Sequence, residues 1–286
     1  MTFDNAKPIL VFGGPYSNLQ ATQAMQQQAQ QLQFEPEQII CTGDVVAYAA
    51  EPEETTRLIR DWGIHVVAGN CEEQLAEGAD DCGCGFEEGS VCDLLSRGWY
   101  PFALSRISAE SQQWMAGLPK SMRFDYRGLH VHVLHGGRTQ TNRFIFGSDQ
   151  EILEEEAAEI NADLILAGHA GIPFISRTKR ATWLNAGVIG IPANDGTPDV
   201  WYALIEPTES ERQVQISLKR LAYDHITAAA AMRKSGHANG YARSVVTGIW
   251  PSHDILPQVE LEQTGKKLRQ KKQKVSASEK RIRAVA

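Results

Sequence analysis

No stretch of the 286-residue chain approaches the ~20 consecutive apolar residues that a membrane-spanning helix needs. The opening residues, M-T-F-D-N-A-K-P, hold no basic region followed by an apolar one, so no secretory signal is expected and the expected location is the cytoplasm. Cysteine is scarce. The five residues Cys41, Cys71, Cys82, Cys84 and Cys92 are an odd number, which argues against a disulfide framework. Bases are scarce as well, outside one place. Nine of the 28 Lys and Arg fall in residues 266–286 beside a single acid, Glu279, leaving 19 bases against 34 acids up to residue 265. So acidic a body disfavours a sequence-independent nucleic-acid groove, which needs clustered Lys and Arg. Only the basic tail is suited to touch nucleic acid, a membrane or the body itself, and it reads as flexible.

A further absence is local. The first apolar run and its turn, Ile9 to Asn18, read I-L-V-F-G-G-P-Y-S-N and contain neither an acid nor a histidine. In an α/β fold, a buried strand ending in such a turn delivers backbone and side chains to a site at the strand's carboxyl end.

What is present alternates between strand and helix. Leu19 to Phe34 carries an apolar stripe at helical spacing, Gln38 to Thr42 is a buried strand, Pro52 to Trp62 a helix and Ile64 to Ala68 a strand. That order predicts parallel strands whose carboxyl ends share one edge. Glu77 to Gly89 reads as a loop, with helices predicted over Val91 to Trp99 and Ser108 to Leu118. Arg123 to Leu134 reads as a hairpin that delivers His135-Gly136-Gly137. An acidic helix over Asp149 to Asn161 precedes the strand Ala162 to Ala167, and strands follow at Ala181 to Asn185, Val200 to Ile205 and Val214 to Leu218. Thr227 to Ser244 is predicted helical with a break at Gly236 to Gly240. The expected organisation is therefore a main domain over 1–222, a helical appendage over 223–265 anchored by Trp250, and the basic tail over 266–286. The appendage is also a candidate surface for self-association into a homo-oligomer.

Four predicted strand ends place a polar side chain beside glycine: Gly43-Asp44, Gly69-Asn70, His135-Gly136 and Gly168-His169. Two imidazoles, a carboxylate and an amide oxygen suit one borderline divalent transition metal such as manganese, iron, zinc or nickel. The alternative is that both histidines are structural. Arg138 and Arg143 follow His135 and are candidates for clamping a phosphate, or are ordinary surface arginines. Cys41 reads as a core residue. Cys71, Cys82, Cys84 and Cys92 are compatible with a structural metal or cluster site, with a thiolate contribution to the Asp44 site, or with free reduced thiols.

In ordered combination, G-D-V-V-A-Y-A-A-E-P, G-N-C-E, L-H-G-G, A-G-H-A-G-I-P-F and L-N-A-G-V-I-G-I-P-A-N-D-G-T-P resemble the calcineurin-like metallophosphoesterases, from about Ile9 to Ile205. The resemblance implies a four-layer αββα sandwich, with two mixed sheets between helical layers. It also implies a binuclear site in which one ion is held by residues matching Asn70, His135 and His169, with Asp44 as the bridge. The other ion's ligands are missing here. Gly14 stands for an aspartate and Tyr16 for a histidine of a D-x-H signature, and Gly171 for the last histidine of G-H-x-H. Cys71 takes the place of a histidine that assists the leaving group. The implied function is hydrolysis of a small phosphorylated substrate at a remodelled, mononuclear centre, with Cys71, His135, Arg138 and Arg143 as catalytic candidates. Gly14, Tyr16 and Asn18 would line the pocket, with Tyr16 filling the space of the absent metal. The rival reading is an inactive homologue that binds a phosphate-bearing ligand or regulates.

Overall fold

A computed structural model describes residues 2–237 and 239–278. In chain order the strands are β1 (Ile9–Phe12), β2 (Ile39–Cys41), β3 (His65–Val66), β4 (Ser121–Tyr126), β5 (Leu129–Leu134), β6 (Leu164–Ala167), β7 (Phe174–Arg177), β8 (Thr182–Asn185), β9 (Val200–Pro207), β10 (Gln213–Leu221) and β11 (Lys272–Ser276). The helices are α1 (Leu19–Gln31), α2 (Pro52–Trp62), α3 (Asn70–Glu77), α4 (Val91–Leu104), α5 (Ala109–Ala116), α6 (Gln150–Glu159), α7 (His225–Ser235), α8 (Asn239–Thr247) and α9 (Gln258–Leu261).

Two mixed sheets result, ordered β11-β10-β9-β1-β2-β3 and β4-β5-β6-β8-β7. β1, β2 and β3 are parallel, as are β5, β6 and β8. Side-chain alternation along each strand explains the layering. In β1, Ile9 and Val11 enter the core between the sheets, where Val131, Leu164, Leu166 and Ile216 also lie. Leu10 and Phe12 point the other way, into a core shared with α1, α2 and the C-terminal helices. In β6, Leu164 and Leu166 face the other sheet while Ile165 and Ala167 pack under Leu153 and Ala157 of α6. The order is helices, sheet, sheet, helix, which is the sandwich the sequence motifs implied. Among the described residues no helix is long and apolar enough to cross a membrane.

Several expectations change. Asn70 does not end a strand but opens α3, which lacks a hydrophobic signature long enough to be read beforehand. The basic tail is ordered in part. Residues Lys272–Ser276 pair antiparallel to β10 as an edge strand, with Val275 buried against the inter-sheet core. Lysines on such a strand are compatible with pairing because an exposed edge tolerates charge. The rest of the expected flexible tail, 279–286, lies outside the described residues. The appendage is helical, and Ala229, Met232, Tyr241, Val245 and Trp250 all join the core beneath α1.

Candidate metal centre

Parallel strands of each sheet end toward one place. β2 runs on through Thr42 and Gly43 to Asp44, β3 leads to Asn70 at the head of α3, β5 ends before His135, and β6 leads through Gly168 to His169. The backbone must pack closely here. A Cβ on Gly43 would stand 2.7 Å from the Gly69 nitrogen and 2.8 Å from His135 Nδ1, and its φ of +93° suits glycine. Asp44 and His169 themselves take left-handed φ values of 56° and 57°. Sparsely populated backbone at two such residues is characteristic of sites where orientation matters.

The side chains converge. His135 Nε2 lies 3.1 Å from Asp44 Oδ2 and 3.1 Å from His169 Nδ1, and His169 Nδ1 lies 3.7 Å from the same Asp44 oxygen. All three residues are buried. Ligand atoms about 2.0–2.2 Å from one ion and about 90–110° apart lie about 3.0–3.5 Å from each other. Two of the three separations match such an edge, and the third, between His169 Nδ1 and Asp44, is slightly longer at 3.7 Å. His135 Nδ1 donates to the Thr42 carbonyl at 2.6 Å, which fixes the tautomer and leaves Nε2 as the ligand atom. Asn70 is turned by its own hydrogen bonds. Its Nδ2 donates to the Cys82 carbonyl at 2.9 Å, and its buried Oδ1 has no partner, as a ligand oxygen in waiting would. His169 Nε2 is likewise buried with no partner within hydrogen-bonding geometry.

Electrostatics agree with a cation-binding cluster. Burial alone would raise the Asp44 carboxyl, but His135 and His169 hold it well below the usual carboxylate range. Burial lowers His135, yet the Asp44 charge and hydrogen bond outweigh it and raise it above the usual imidazole value. His169 is lowered, by burial first, with Asp44 pulling the other way. A divalent ion would replace the proton that His135 and Asp44 otherwise share.

One residue not singled out from the sequence organises this corner. Glu72, fully buried in α3, accepts from the backbone N–H groups of Asp44 at 2.7 Å, Gly69 at 2.9 Å and Val46 at 3.2 Å. It ties the Asp44 and Asn70 loops together, and burial next to Asp44 raises it to about 7. The signal was available in G-N-C-E, where an acid three residues after glycine reaches back to a helix start.

The thiols gather around Asn70. Its Nδ2 lies 3.3 Å from Cys84 Sγ and 3.6 Å from Cys71 Sγ, so the Cys82–Cys84 loop does fold over this side of the site. Contact with Cys84 lowers Cys71, but burial and the nearby acids prevail, and it stays well above the ordinary thiol value. Cys92 is elsewhere, in α4, where its N–H donates to Asp254. All five cysteines are free and buried.

The arginines go to other partners. Arg143 Nη1 meets Glu156 at 2.6 Å and Nη2 meets Glu155 at 3.5 Å. Arg138 donates its backbone N–H to Glu156 at 2.7 Å, and its guanidinium lies 3.7 Å from Glu159. Glu156 is buried in acidic α6, and a buried carboxylate demands a cation or donors, which draws both residues there. Asn18 serves the fold. It caps α1 by accepting from Ala21 at 3.1 Å and donates to the Gly190 carbonyl at 2.9 Å.

The other half of the site is filled with rings. A Cβ on Gly14 would stand 2.6 Å from Tyr16 Cζ, so the tyrosine ring occupies the space of any side chain at 14. A Cβ on Gly171 would meet Trp250 Cζ2 at 3.1 Å. Trp250 is pinned there by its own donors, the indole to the Pro192 carbonyl at 2.6 Å and the backbone N–H to Asn194 at 2.9 Å.

Comparison with known proteins accords with this fold. The calcineurin-like phosphoesterase superfamily domain matches residues 17–210, roughly two-thirds of the chain. The chain belongs to that superfamily. An uncharacterised protein of Methanocaldococcus jannaschii is 23% identical over 233 residues, covering 76% of this chain and 88% of its own. A metallophosphoesterase structure from Sphaerobacter thermophilus aligns with a TM-score of 0.67 at 22% identity, covering 86% of this chain and 100% of that one. A hypothetical protein from Pyrococcus horikoshii aligns with a TM-score of 0.71 at 13% identity, over 85% and 99%. At such identities the structures bear on the fold alone. This calcineurin-like chain thus keeps an Asp44–His135–His169 cluster capable of holding a metal.

Proposed function

We propose that this phosphoesterase-family chain hydrolyses a small phosphorylated substrate at one divalent transition metal held by Asp44, Asn70, His135 and His169. The carrying observation is the convergence of Asp44, His135 and His169 on one point while Tyr16 and Trp250 fill the space beside it. When bound, such an ion supplies Lewis-acid polarisation of a phosphoryl oxygen and a hydroxide near neutral pH. The chain's own groups do the positioning. The Thr42 carbonyl holds His135 in one tautomer, the Cys82 carbonyl orients Asn70, and Glu72 keeps the two loops in register. Burial and the nearby acids raise the Cys71 thiol well above its ordinary value, which favours a neutral donor over a thiolate nucleophile in this reading.

A second reading, binding of a phosphate ligand without turnover, is favoured by the engagement of Arg138 and Arg143 with α6, which takes both candidate clamps away from the triad. The two are separated by measuring metal content after purification under reducing conditions and assaying phosphomonoesters and phosphodiesters beside Asp44→Asn. About one ion per chain, with turnover lost in the variant, supports hydrolysis. One ion with no turnover on any ester supports the binding reading, and a chain that takes up no divalent metal rules out the proposed centre.

A further inference from the structure

β7 is the outermost strand of its sheet, and its hairpin with β8 decides which of its backbone groups are paired. The Thr178 N–H donates to the Ala181 carbonyl at 2.9 Å across the turn, and the Thr182 N–H points the other way, to the Asp163 carbonyl at 2.9 Å. Hydrogen-bonding direction alternates along an antiparallel pair. Phe174 and Ser176 therefore bond to β8, while the N–H and C=O groups of Ile175 and Arg177 face away from it. Among the described residues no second strand or loop bonds those groups. On the open side runs a trough of about 400 Å³, or about 990 Å³ with its mouth, and no β8 residue lines it. Phe174, Ile175 and Ser176 form part of its wall, as do Val259, Leu268 and Lys271. The acids of the trough are engaged: Asp195 pairs with Arg220, and Glu260 accepts from the Ser148 N–H at 3.0 Å. The bases are not. Lys271 and Arg177 are exposed, and neither belongs to an ion pair among the described residues.

We infer that the open edge of β7 takes up an extended segment of a partner protein as a further strand, and that this segment carries an acidic residue two positions from an apolar one. Free edges are ordinarily guarded by charge. β11, at the edge of the other sheet, has Lys272 and Lys274 along it. β7 instead turns Ile175 and its unpaired backbone toward a trough, so the main-chain bonds of an added strand are available without a clash. Side chains two apart share a face, so Ile175 and Arg177 stand on one side of β7 and meet alternate residues of a strand laid beside it. Ile175 and Leu268 pack at the margin of the inter-sheet core and suit an apolar neighbour. Arg177 and Lys271, positive groups on an otherwise acidic body, suit a carboxylate. A second copy of this chain is a poor occupant, because pairing β7 with β7 would bring like charges together.

The test is selection of a random display library of short peptides on the full chain, followed by calorimetry and amide hydrogen exchange with the best sequence. Enriched peptides should carry Asp or Glu two positions from Val, Ile or Leu, and the best should slow exchange at Ile175 and Arg177. N-methylation of one alternate set of its amides should weaken binding ~10-fold or more, and methylation of the other set should not, because only one set faces β7. Arg177→Glu and Lys271→Glu each alter an exposed side chain and should weaken binding ~10-fold or more. A peptide with Lys in place of its acid should recover that loss. Failure to enrich any sequence, a preference for basic or charge-indifferent sequences, equal effects of the two methylation sets, or unprotected Ile175 and Arg177 amides would each overturn the inference. So would protection of those amides that grows with protein concentration in the absence of peptide, since a second copy then fills the edge.

Discussion

The two halves of the site answer the same packing problem in opposite ways. Around Asp44, His135 and His169, three lone pairs crowd together and buried polar atoms are left without partners. Beside them, a side chain at Gly14 would meet the Tyr16 ring and Val188, and one at Gly171 would meet the Trp250 ring. An unused polar site would be expected to relax, since unpaired buried polar groups are destabilising by about 1–3 kcal/mol each. The filled half has relaxed in that sense; the triad has not. The difference teaches that the triad holds buried polar atoms without partners directly beside a region packed by rings.

The strongest way to break the contrast is Asp44→Asn. It removes the charge that two imidazoles share, and metal content should fall from about one ion per chain to near zero by elemental analysis, with turnover following. Next is Glu72→Ala, which strands three buried N–H groups around the triad's loops. The expected loss is about 3–5 kcal/mol in denaturant unfolding, and an effect below ~1 kcal/mol would mean that the loops hold themselves.

The filled half is probed by Gly14→Ala. The new methyl at φ +42° collides with both Tyr16 and Val188, so about 2–3 kcal/mol should be lost. Tyr16→Ala in the same chain should recover part of that loss in a double-mutant cycle, and strict additivity would show that the ring does not occupy the space of residue 14.

A smaller effect sharpens what an unpartnered imidazole means. Both ring nitrogens of His132 in β5 lack partners, as His169 Nε2 does, but among the described residues it belongs to no group of three candidate metal ligands. Burial depresses it to about 4, with Arg123 adding to the effect. Between the unfolded value near 6.5 and about 4, the unfolded state binds the proton and the folded state does not. Stability is therefore full above pH ~6.5 and falls as pH drops toward 4, by about 1–3 kcal/mol. His132→Phe should flatten that part of the stability curve and leave metal content untouched. The smallest effect is expected for Arg138→Ala, whose half-exposed side chain makes only a 3.7 Å pairing with Glu159; stability should move by less than ~0.5 kcal/mol and turnover by less than about twofold.

Much of this was readable beforehand, residue by residue. Unbroken apolar runs at Ile9–Phe12 and Leu164–Ala167 identified strands buried on both faces, and the glycine-flanked Asp44, His135 and His169 marked strand ends, whereas Asn70 opens α3. Three of those four side chains do meet. α3 and β11 were hidden because their stability comes from docking and edge pairing rather than from a local pattern. The destinations of Arg138 and Arg143 were hidden for a similar reason. The pull on them is Glu156, a carboxylate whose burial is a property of the packed α6 and not of its own sequence.

By itself, the sequence determined which groups are present and which are missing: a carboxylate, an amide and two imidazoles beside glycines, with glycine and tyrosine where the resemblance led one to look for further ligands. The tertiary structure alone decided what surrounds Gly14 and Gly171. Residues as far apart as Tyr16, Phe144 and Trp250 share one cleft because the sheets and the C-terminal helices fold over the same edge, and volume left by absent side chains must be filled when interiors are close-packed.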